Sequence, residues 1–186
     1  MKVIDLEANY GAGEGAMPKI SILADSALQK SGRPLFLPDW AERFACREHI
    51  VVRVGRLGKN IAERFAMRYI DAATAGFIVE AEGAEPAIAT SWDGAALIGD
   101  FVDINSLDVN NIELASFNKG EELHRLNSGN MTCKIAKIVE YVSKYFTLKN
   151  GDLIYTGFAY PATALAIDDR LTATINGTEV INNKIK

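Results

Sequence analysis

The chain has 186 residues and a formal net charge of −4, with 48% hydrophobic and 24% charged residues. This length is typical of one domain, so we expect a single domain over residues 1–186 with a substantial core. The acidic balance argues against nucleic acid as a partner, because phosphate binding needs a basic patch. No apolar run approaches the roughly 20 residues of a membrane span, so no membrane partner is expected.

The N-terminus and the cysteines indicate a reducing compartment. Asp5 interrupts what would be the apolar region of a secretion signal, and no small-residue cleavage pattern follows. Cys46 and Cys133 are the two cysteines, which fits free, buried thiols. We therefore expect a cytoplasmic protein.

Short extended segments dominate the first half of the chain. Apolar and β-branched runs predict strands at Val3–Leu6, Arg33–Pro38, Ile50–Val54, Phe77–Val79 and Leu97–Val102. Asn60 is predicted to cap a helix, because Glu63 stands three residues later, as in a capping box. Ile61, Phe65 and Tyr69 then recur at helical spacing.

Residues 11–15 form a glycine-rich segment that resembles a phosphate-binding loop only superficially. No Lys-Ser or Lys-Thr pair follows it, and Pro18 would interrupt a helix that presents backbone amides to a phosphate. We interpret the segment as an ordinary loop.

The second half contains one strong helix and several further strands. The predicted helix covers residues 132–145, where Ile135, Ile138, Val139 and Val142 give one apolar face. Strands are predicted at Ile112–Phe117, Leu153–Tyr155, Leu171–Ile175 and Thr178–Ile181. Asn176-Gly177 between the last two is a strong hairpin signal. Since strands cluster rather than alternate with helices, we predict an α+β, β-rich fold with a mainly antiparallel, barrel-like sheet.

The C-terminal third resembles the fumarylacetoacetate hydrolase family. Thr147 to Gly157 is similar to that family's TLxxGDxIxTGTP segment, and Asn118-Lys119-Gly120-Glu121 is similar to its NGE turn. Asp169-Arg170-Leu171 is similar to the GDxV entry to the final strands, and Trp92-Asp93 falls where the family has Phe-Asp. The resemblance covers most of the chain and is most specific around Thr147 to Gly157.

The resemblance implies a particular chemistry. Family members typically hydrolyse or decarboxylate β-diketo and 2-oxo acids, and they use Mg²⁺ or Mn²⁺ held by carboxylates. A hard cation binds the keto-acid oxygens and stabilises the enolate that leaves when a carbon–carbon bond breaks. Dimers are common in the family, so a homodimer is expected by analogy alone.

The residues at the corresponding positions depart from that pattern. The Glu-x-Glu ligands of the family correspond to Arg47 and His49, and Glu48 between them should face the other side of the strand. The third ligand, an aspartate, corresponds to Ile78, although Glu80 lies two residues further along the same face. Arg47 would bring a fixed positive charge to the place of the cation. We therefore expect no bound metal and no other cofactor.

Other catalytic parts of the family are also replaced. Thr90 stands where the family has a lysine, and the early His-Glu loop after Asn9-Tyr10 is missing. These departures predict no catalytic residues but a vestigial pocket. Its members are Arg47, His49, Ile78, Thr90, Asp93, Thr156 and Gly157.

Several residues of this set have ordinary alternatives. Arg47 could bind the carboxylate of a small 2-oxo acid, but pairing with Glu80 or Glu82 is the favoured expectation. Cys46 and His49 should lie on opposite faces of a strand, so a buried thiol is favoured over a nucleophile or a metal ligand. His124 is expected to be exposed in a loop.

Three hypotheses for the function follow. The leading one is a non-catalytic or strongly altered family member. The second is an enzyme for small 2-oxo or β-diketo acids with a shifted or metal-independent site, which would gain support if Arg47, Thr90 and Thr156 met in one pocket. The third is a non-enzymatic partner subunit of an active paralogue.

Overall fold

The computed structural model describes residues 1–11, 13 and 15–186 of the chain. Within these residues the fold has thirteen strands and two α-helices. The strands are β1 (Val3–Leu6), β2 (Ile20–Leu23), β3 (Leu28–Lys30), β4 (Phe44–Val54), β5 (Ile70–Ala81), β6 (Ala96–Ile98), β7 (Val102–Asp103), β8 (Glu113–Asn118), β9 (Glu121–Asn127), β10 (Leu153–Tyr155), β11 (Thr163–Leu165), β12 (Arg170–Ile175) and β13 (Thr178–Lys184). The helices are α1 (Pro86–Ala89) and α2 (Ile135–Tyr145), and 3₁₀ turns occur at Asp25–Ala27, Glu63–Tyr69, Ile104–Ser106 and Ser128–Asn130.

A large sheet of nine strands forms the frame of the described part of the chain. Its order is β2-β1-β10-β4-β5-β6-β3, with β11 paired to β4 and β7 paired to β5. The long antiparallel pair β4–β5 is its centre, and only β1–β10 and β3–β6 run parallel among the described pairs. The sheet curls into half a barrel, which confirms the predicted β-rich, mainly antiparallel α+β fold.

A second sheet, with the order β13-β12-β8-β9, packs on the first. Its strands β12 and β13 contact β5, and β8 contacts β4. The predicted hairpin between β12 and β13 is confirmed. Asn176 and Gly177 both adopt positive φ, the conformation that a tight primed turn requires. The main hydrophobic core includes Phe77 and Ile50 of the large sheet and Leu171 and Ile181 of the small one.

Helix α2 begins at Ile135, later than the predicted position 132. The backbone amides of Thr132 and Cys133 bond to Asn9 at 2.8 Å each instead of starting a helical turn. The predicted apolar face is confirmed, because Ile138 and Val142 are fully buried.

The predicted helix after Asn60 is wrong. Asn60 has φ 50° and its amide donates to the carbonyl of Ser143, so it does not cap a helix. The amide of Ile61 is bonded to Ser143 Oγ at 2.9 Å, and only a 3₁₀ turn follows, at Glu63–Tyr69. Residue Ser143 of α2 therefore accepts hydrogen bonds from the amides of Asn60 and Ile61. At the start of a local helix these amides would have had no partner within the helix.

Two predicted strands also differ. The segment Arg33–Pro38 forms no strand, and Leu35 alone makes an isolated bridge with Ile185. The segment Leu97–Val102 is divided between β6 and β7. Between them the amide of Asp100 donates to the carbonyl of Val180 in the second sheet, while Gly99 and the carbonyl of Asp100 remain bonded to β5 through Ala75 and Thr74.

Other features of the described residues can be stated briefly. Cys46 and Cys133 are free and buried, as predicted. The predicted glycine-rich loop at 11–15 includes Ala12 and Glu14, which lie outside the described residues. Within the described ranges, no helix has both the length and the apolar character needed to cross a membrane.

Candidate functional site

A cavity of about 400 Å³ lies on one face of the large sheet. Its floor comes from β1, β4 and β5, and the segment around α1 closes one side. The lining residues are Asp5, Glu7, Ser21, Arg47, His49, Ile78, Glu80, Ala84, Pro86, Ala89, Thr90 and Phe158. Four residues of the predicted pocket, namely Arg47, His49, Ile78 and Thr90, are therefore brought together.

Arg47 is held on the cavity wall by two contacts. Its Nη1 donates to Glu80 Oε2 at 2.6 Å, which confirms the pairing favoured from the sequence. Its guanidinium carbon lies 4.8 Å from the ring centroid of Phe158, a cation–π distance. Both partners are only partly exposed, with 29% of the Arg47 and 34% of the Glu80 side chain accessible. The arginine charge is thus already engaged within the cavity.

His49 and Asp5 are a more buried polar pair of the cavity than Arg47 and Glu80. Nδ1 of His49 lies 3.7 Å from Oδ1 of Asp5, and neither atom has a hydrogen-bond partner among the described residues. The His49 ring is wedged edge-on against Tyr155 and Phe158. The pair therefore contributes two unsatisfied polar atoms to a buried wall.

Burial shifts the pKa of both groups toward the neutral form. Desolvation raises the pKa of Asp5 from 3.8 to about 8, with Glu7 adding to this effect and Arg47 opposing it. Desolvation lowers the pKa of His49 from 6.5 to about 3, and the nearby Arg47 charge adds to that shift. At neutral pH Asp5 is mainly protonated and His49 is uncharged.

The other predicted pocket residues lie away from the cavity. Thr156 is buried and its Oγ1 donates to the carbonyl of Ile50 at 2.7 Å, so its hydroxyl serves the sheet. Gly157 has φ 104°, and an added Cβ would lie 2.8 Å from the carbonyl oxygen of Glu7. Asp93 is exposed in a turn before Gly94. The residue that carries this segment into the cavity is Phe158.

A second polar cluster lies on the opposite face of β4. Glu48 is 2% exposed, and its Oε1 lies 2.9 Å from Nδ1 of His124. Burial raises the pKa of Glu48, and the nearby imidazole opposes this. The predicted exposed loop position of His124 is wrong. The residue lies in β9, half-buried and stacked on Tyr160 at 4.4 Å, because the second sheet covers this face of β4.

Removing the histidine of this cluster should destabilise the fold. His124→Gln leaves the Glu48 carboxyl buried without its imidazole partner, and we expect a loss of about 2 kcal/mol in the free energy of unfolding. The measurement is urea unfolding. Glu122→Gln, which breaks an exposed pair with Arg125, is the control and should cost less than about 1 kcal/mol. Equal losses in the two variants would contradict the importance of the buried pair.

The residues at the implied metal position do not fit Mg²⁺ or Mn²⁺. Hard cations prefer several oxygen ligands, whereas the corresponding positions hold a guanidinium, an uncharged imidazole and the apolar side chain of Ile78. Glu80 is bonded to Arg47. Within the described ranges, no three His, Cys, Asp or Glu side chains are grouped to hold a metal ion. No metal-dependent step can be derived from this donor set.

Among the cavity residues that the sequence reasoning did not identify, three are charged or aromatic, namely Asp5, Glu7 and Phe158. Asp5 could have been found, because an acid within the apolar run Val3–Leu6 is unusual for a buried strand. Glu7 and Phe158 carried no such signal. They reach the cavity because β1 lies beside β10 in the sheet, a parallel pairing between residues about 150 positions apart.

Comparison with known proteins agrees with this architecture. Residues 7–186 match the family model described as fumarylacetoacetate (FAA) hydrolase C-terminal. The chain is 24% identical over 177 residues to a mitochondrial oxaloacetate tautomerase of Caenorhabditis elegans, covering 90% of this chain and 82% of that protein.

Two solved structures share the fold at lower identity. The 5-carboxymethyl-2-hydroxymuconate delta-isomerase from Mycobacterium smegmatis superposes with a TM-score of 0.91 at 23% identity, covering 99% of this chain and 78% of the other. Fumarylpyruvate hydrolase from Pseudomonas aeruginosa, in complex with Mn²⁺ and pyruvate, gives 0.89 at 19% identity, covering 100% and 89%. With the family match over nearly the whole length, the chain belongs to the fumarylacetoacetate hydrolase family.

Proposed function

We propose that this chain is a non-catalytic member of the family that keeps the fold and the cavity but not the metal-dependent chemistry. The observation that carries the proposal is the 2.6 Å ion pair between Arg47 and Glu80. Arg47 stands where the resemblance places a ligand carboxylate, and it cannot lose its proton in a protein. A divalent cation beside it would meet a repulsion of several kcal/mol.

The neutral pair of Asp5 and His49 supports the same proposal. A metal centre would favour the ionised carboxylate, whereas burial here raises the pKa of Asp5 to about 8. Ile78 supplies no donor atom. The cavity is therefore organised around one internal ion pair and two neutral groups rather than around a divalent metal ion.

A second candidate is a metal-independent enzyme that binds a small anionic 2-oxo acid. It is favoured by the presence of Arg47 and Thr90 on one cavity. It is opposed by the engagement of Arg47 with Glu80 and by the position of Thr156, which bonds to the sheet. We rank it below the non-catalytic assignment for these reasons.

The test measures metal content and the thermal shift with Mg²⁺ or Mn²⁺, with and without oxalate. We expect no metal-dependent shift, because a metal at a hundredfold excess over its Kd would stabilise a true site by about 2.7 kcal/mol. Fumarylpyruvate hydrolase from Pseudomonas aeruginosa, whose structure holds Mn²⁺ and pyruvate, is the positive control for metal binding, and the C. elegans oxaloacetate tautomerase is the positive control for activity.

Two results would overturn the proposal. One is a metal-dependent stabilisation of the wild type that disappears in Glu80→Gln, which would localise a metal to this cavity. The other is enzymatic turnover of oxaloacetate or an acylpyruvate at about 1 per second or faster.

Three further expectations stay predictions. A homodimer is expected by analogy with the family, and sedimentation equilibrium would measure it. A cytoplasmic location and a single domain over residues 1–186 also follow from the sequence reasoning alone.

A further inference from the structure

The cavity has an excess of carboxyl groups over cations. Asp5, Glu7 and Glu80 line it, and Arg47 is the cation among its described lining residues. Glu80 neutralises Arg47 directly. Glu7 lies 3.6 Å from Lys19, but that lysine is 83% exposed, so the pair is screened by water. Even with Asp5 protonated, the lining charges sum to a negative value.

Asp5 is a buried carboxyl group without a satisfying partner. The residue is 8% exposed, and its Oδ1 has no hydrogen-bond donor among the described residues. The 3.7 Å separation from His49 Nδ1 is too long for a hydrogen bond. Since Oδ1 is itself covered, the accessible 12% of the side chain belongs to its other atoms, which line the cavity. A buried polar group left this way calls for a ligand or another explanation.

The surroundings of Asp5 add acceptors on one side and apolar surface on the other. Ser21 is the direct neighbour of Asp5 across the β1–β2 pair, and its side chain lines the same cavity. Apolar wall is supplied by Ile78, Ala89 and Phe158. The arrangement has a polar end at Asp5 and an apolar path leading from it.

We propose that this cavity binds a small alkylammonium ion, whose ammonium group pairs with Asp5 and whose alkyl part lies along Ile78, Ala89 and Phe158. The proposal rests on the metal-free cavity of the proposed function. An ammonium group offers three N–H donors and a positive charge. Its charge favours the ionised form of Asp5 over the protonated form that burial favours in the empty cavity, and its donors suit that carboxylate and the hydroxyl oxygen of Ser21.

An anion is a poorer match for the same cavity. Its carboxylate would have to displace Glu80 from Arg47, leaving that acid without its partner, and would lie near the carboxylate of Glu7. Like charges in a partly desolvated pocket disfavour binding. The preference for a cation over an anion of the same length is therefore the property to measure.

The experiment titrates the whole chain with butylammonium, butyrate or 1-butanol and follows the side-chain imidazole signals by NMR. The sequence has two histidines, so His49 reports on the cavity and His124 is an internal control on the other face of β4. His124→Gln assigns the two signals. We expect butylammonium to give a saturable shift of the His49 signal, with weaker effects of butanol and butyrate.

The matched variants are Asp5→Asn, which keeps the side-chain shape, and Asp39→Asn, an exposed loop position outside the cavity lining. Loss of a charge-assisted hydrogen bond should weaken butylammonium binding about tenfold in Asp5→Asn and leave it unchanged in Asp39→Asn. The ranking of the three probes on the wild type is independent of whether Asp5→Asn folds.

Butyrate binding more tightly than butylammonium, or no saturable His49 shift with butylammonium, would overturn the inference. Equal affinities of a folded Asp5→Asn variant and the wild type would do the same. The Mg²⁺ and Mn²⁺ shifts are recorded on the same samples. Metal binding there would count against the proposed function, whereas a metal-free cavity that ignores butylammonium would count against this inference alone.

Discussion

Replacing Asp5 with asparagine is expected to stabilise the protein, and to do so increasingly as the pH rises. The folded pKa of Asp5 is about 8 and its ordinary value is 3.8. Between these values the unfolded chain has lost a proton that the folded chain keeps, so the wild type loses about 1.4 kcal/mol of stability per pH unit. The advantage of Asp5→Asn should therefore grow by about 4 kcal/mol between about pH 5 and about pH 8.

The neighbouring histidine acts on the acid side. The folded pKa of His49 is about 3, below its ordinary 6.5. Its contribution to the free energy of unfolding is complete above about pH 6.5. That contribution is lost as the pH falls toward 3, because the unfolded chain then binds a proton that the folded chain does not. In the wild type the two effects oppose each other between about pH 4 and about pH 6.5. Asp5→Asn should therefore still lose stability at acidic pH, because His49 is unchanged. It should no longer lose stability as the pH rises, because that loss comes from Asp5.

Urea unfolding of the wild type and of Asp5→Asn across this pH range measures the difference. The groups that face Asp5, namely Glu7, Arg47, His49 and Tyr155, are present in both proteins, so their titration cancels to first order. Asp39→Asn is the control and should give a difference that does not depend on pH. A difference for Asp5→Asn that is equally flat would show that Asp5 is ionised in the folded state.

Replacing Gly157 with alanine is expected to destabilise the protein by about 3 kcal/mol or more. Its φ of 104° is unfavourable for any residue with a Cβ, and the new atom would lie 2.4 Å from Asn9 Cβ and 2.8 Å from the carbonyl oxygen of Glu7. Neither neighbour can move easily, because Asn9 is buried and bonds through its side chain to Thr156 and Cys133. The backbone around residue 157, which leads to Phe158 in the cavity wall, must then move.

Gly151→Ala is the matched control for this position. Gly151 also has a positive φ, of 86°, but an added Cβ would meet nothing within 4 Å. Gly151→Ala should therefore lower the free energy of unfolding by only about 1 kcal/mol, the cost of placing a residue with a Cβ at positive φ. Similar unfolding midpoints for the two variants would show that close packing at Gly157 is not required.

The sequence alone determined the fold class and much of the strand pattern. The TLxxGDxIxTGTP-like segment from Thr147 to Gly157 carried the family resemblance. The hairpin at Asn176-Gly177 and the apolar face of α2 are local signals, set by turn chemistry and periodicity. The face assignment that buries Glu48 opposite Arg47 also followed from strand alternation.

Local signals failed where distant contacts took over. Asn60 has the residue pattern of a helix cap, but the carbonyl and hydroxyl of Ser143 bind the amides there and leave a 3₁₀ turn. His124 has the neighbours of an exposed loop, but it lies on a strand that covers Glu48. In both cases the deciding partner is more than 70 residues away along the chain.

Through its resemblance to the family, the sequence by itself predicted which residues correspond to the metal-ligand positions, because that prediction needs only residue identity and strand order. It could not determine what those residues do there. Only the tertiary structure brought Glu80 to Arg47 and Asp5 to His49, since these pairs depend on the register of β4 with β5 and on the place of β1 in the sheet. Such pairings are non-local, and burial then shifts the pKa of Asp5 and of His49 far from their ordinary values.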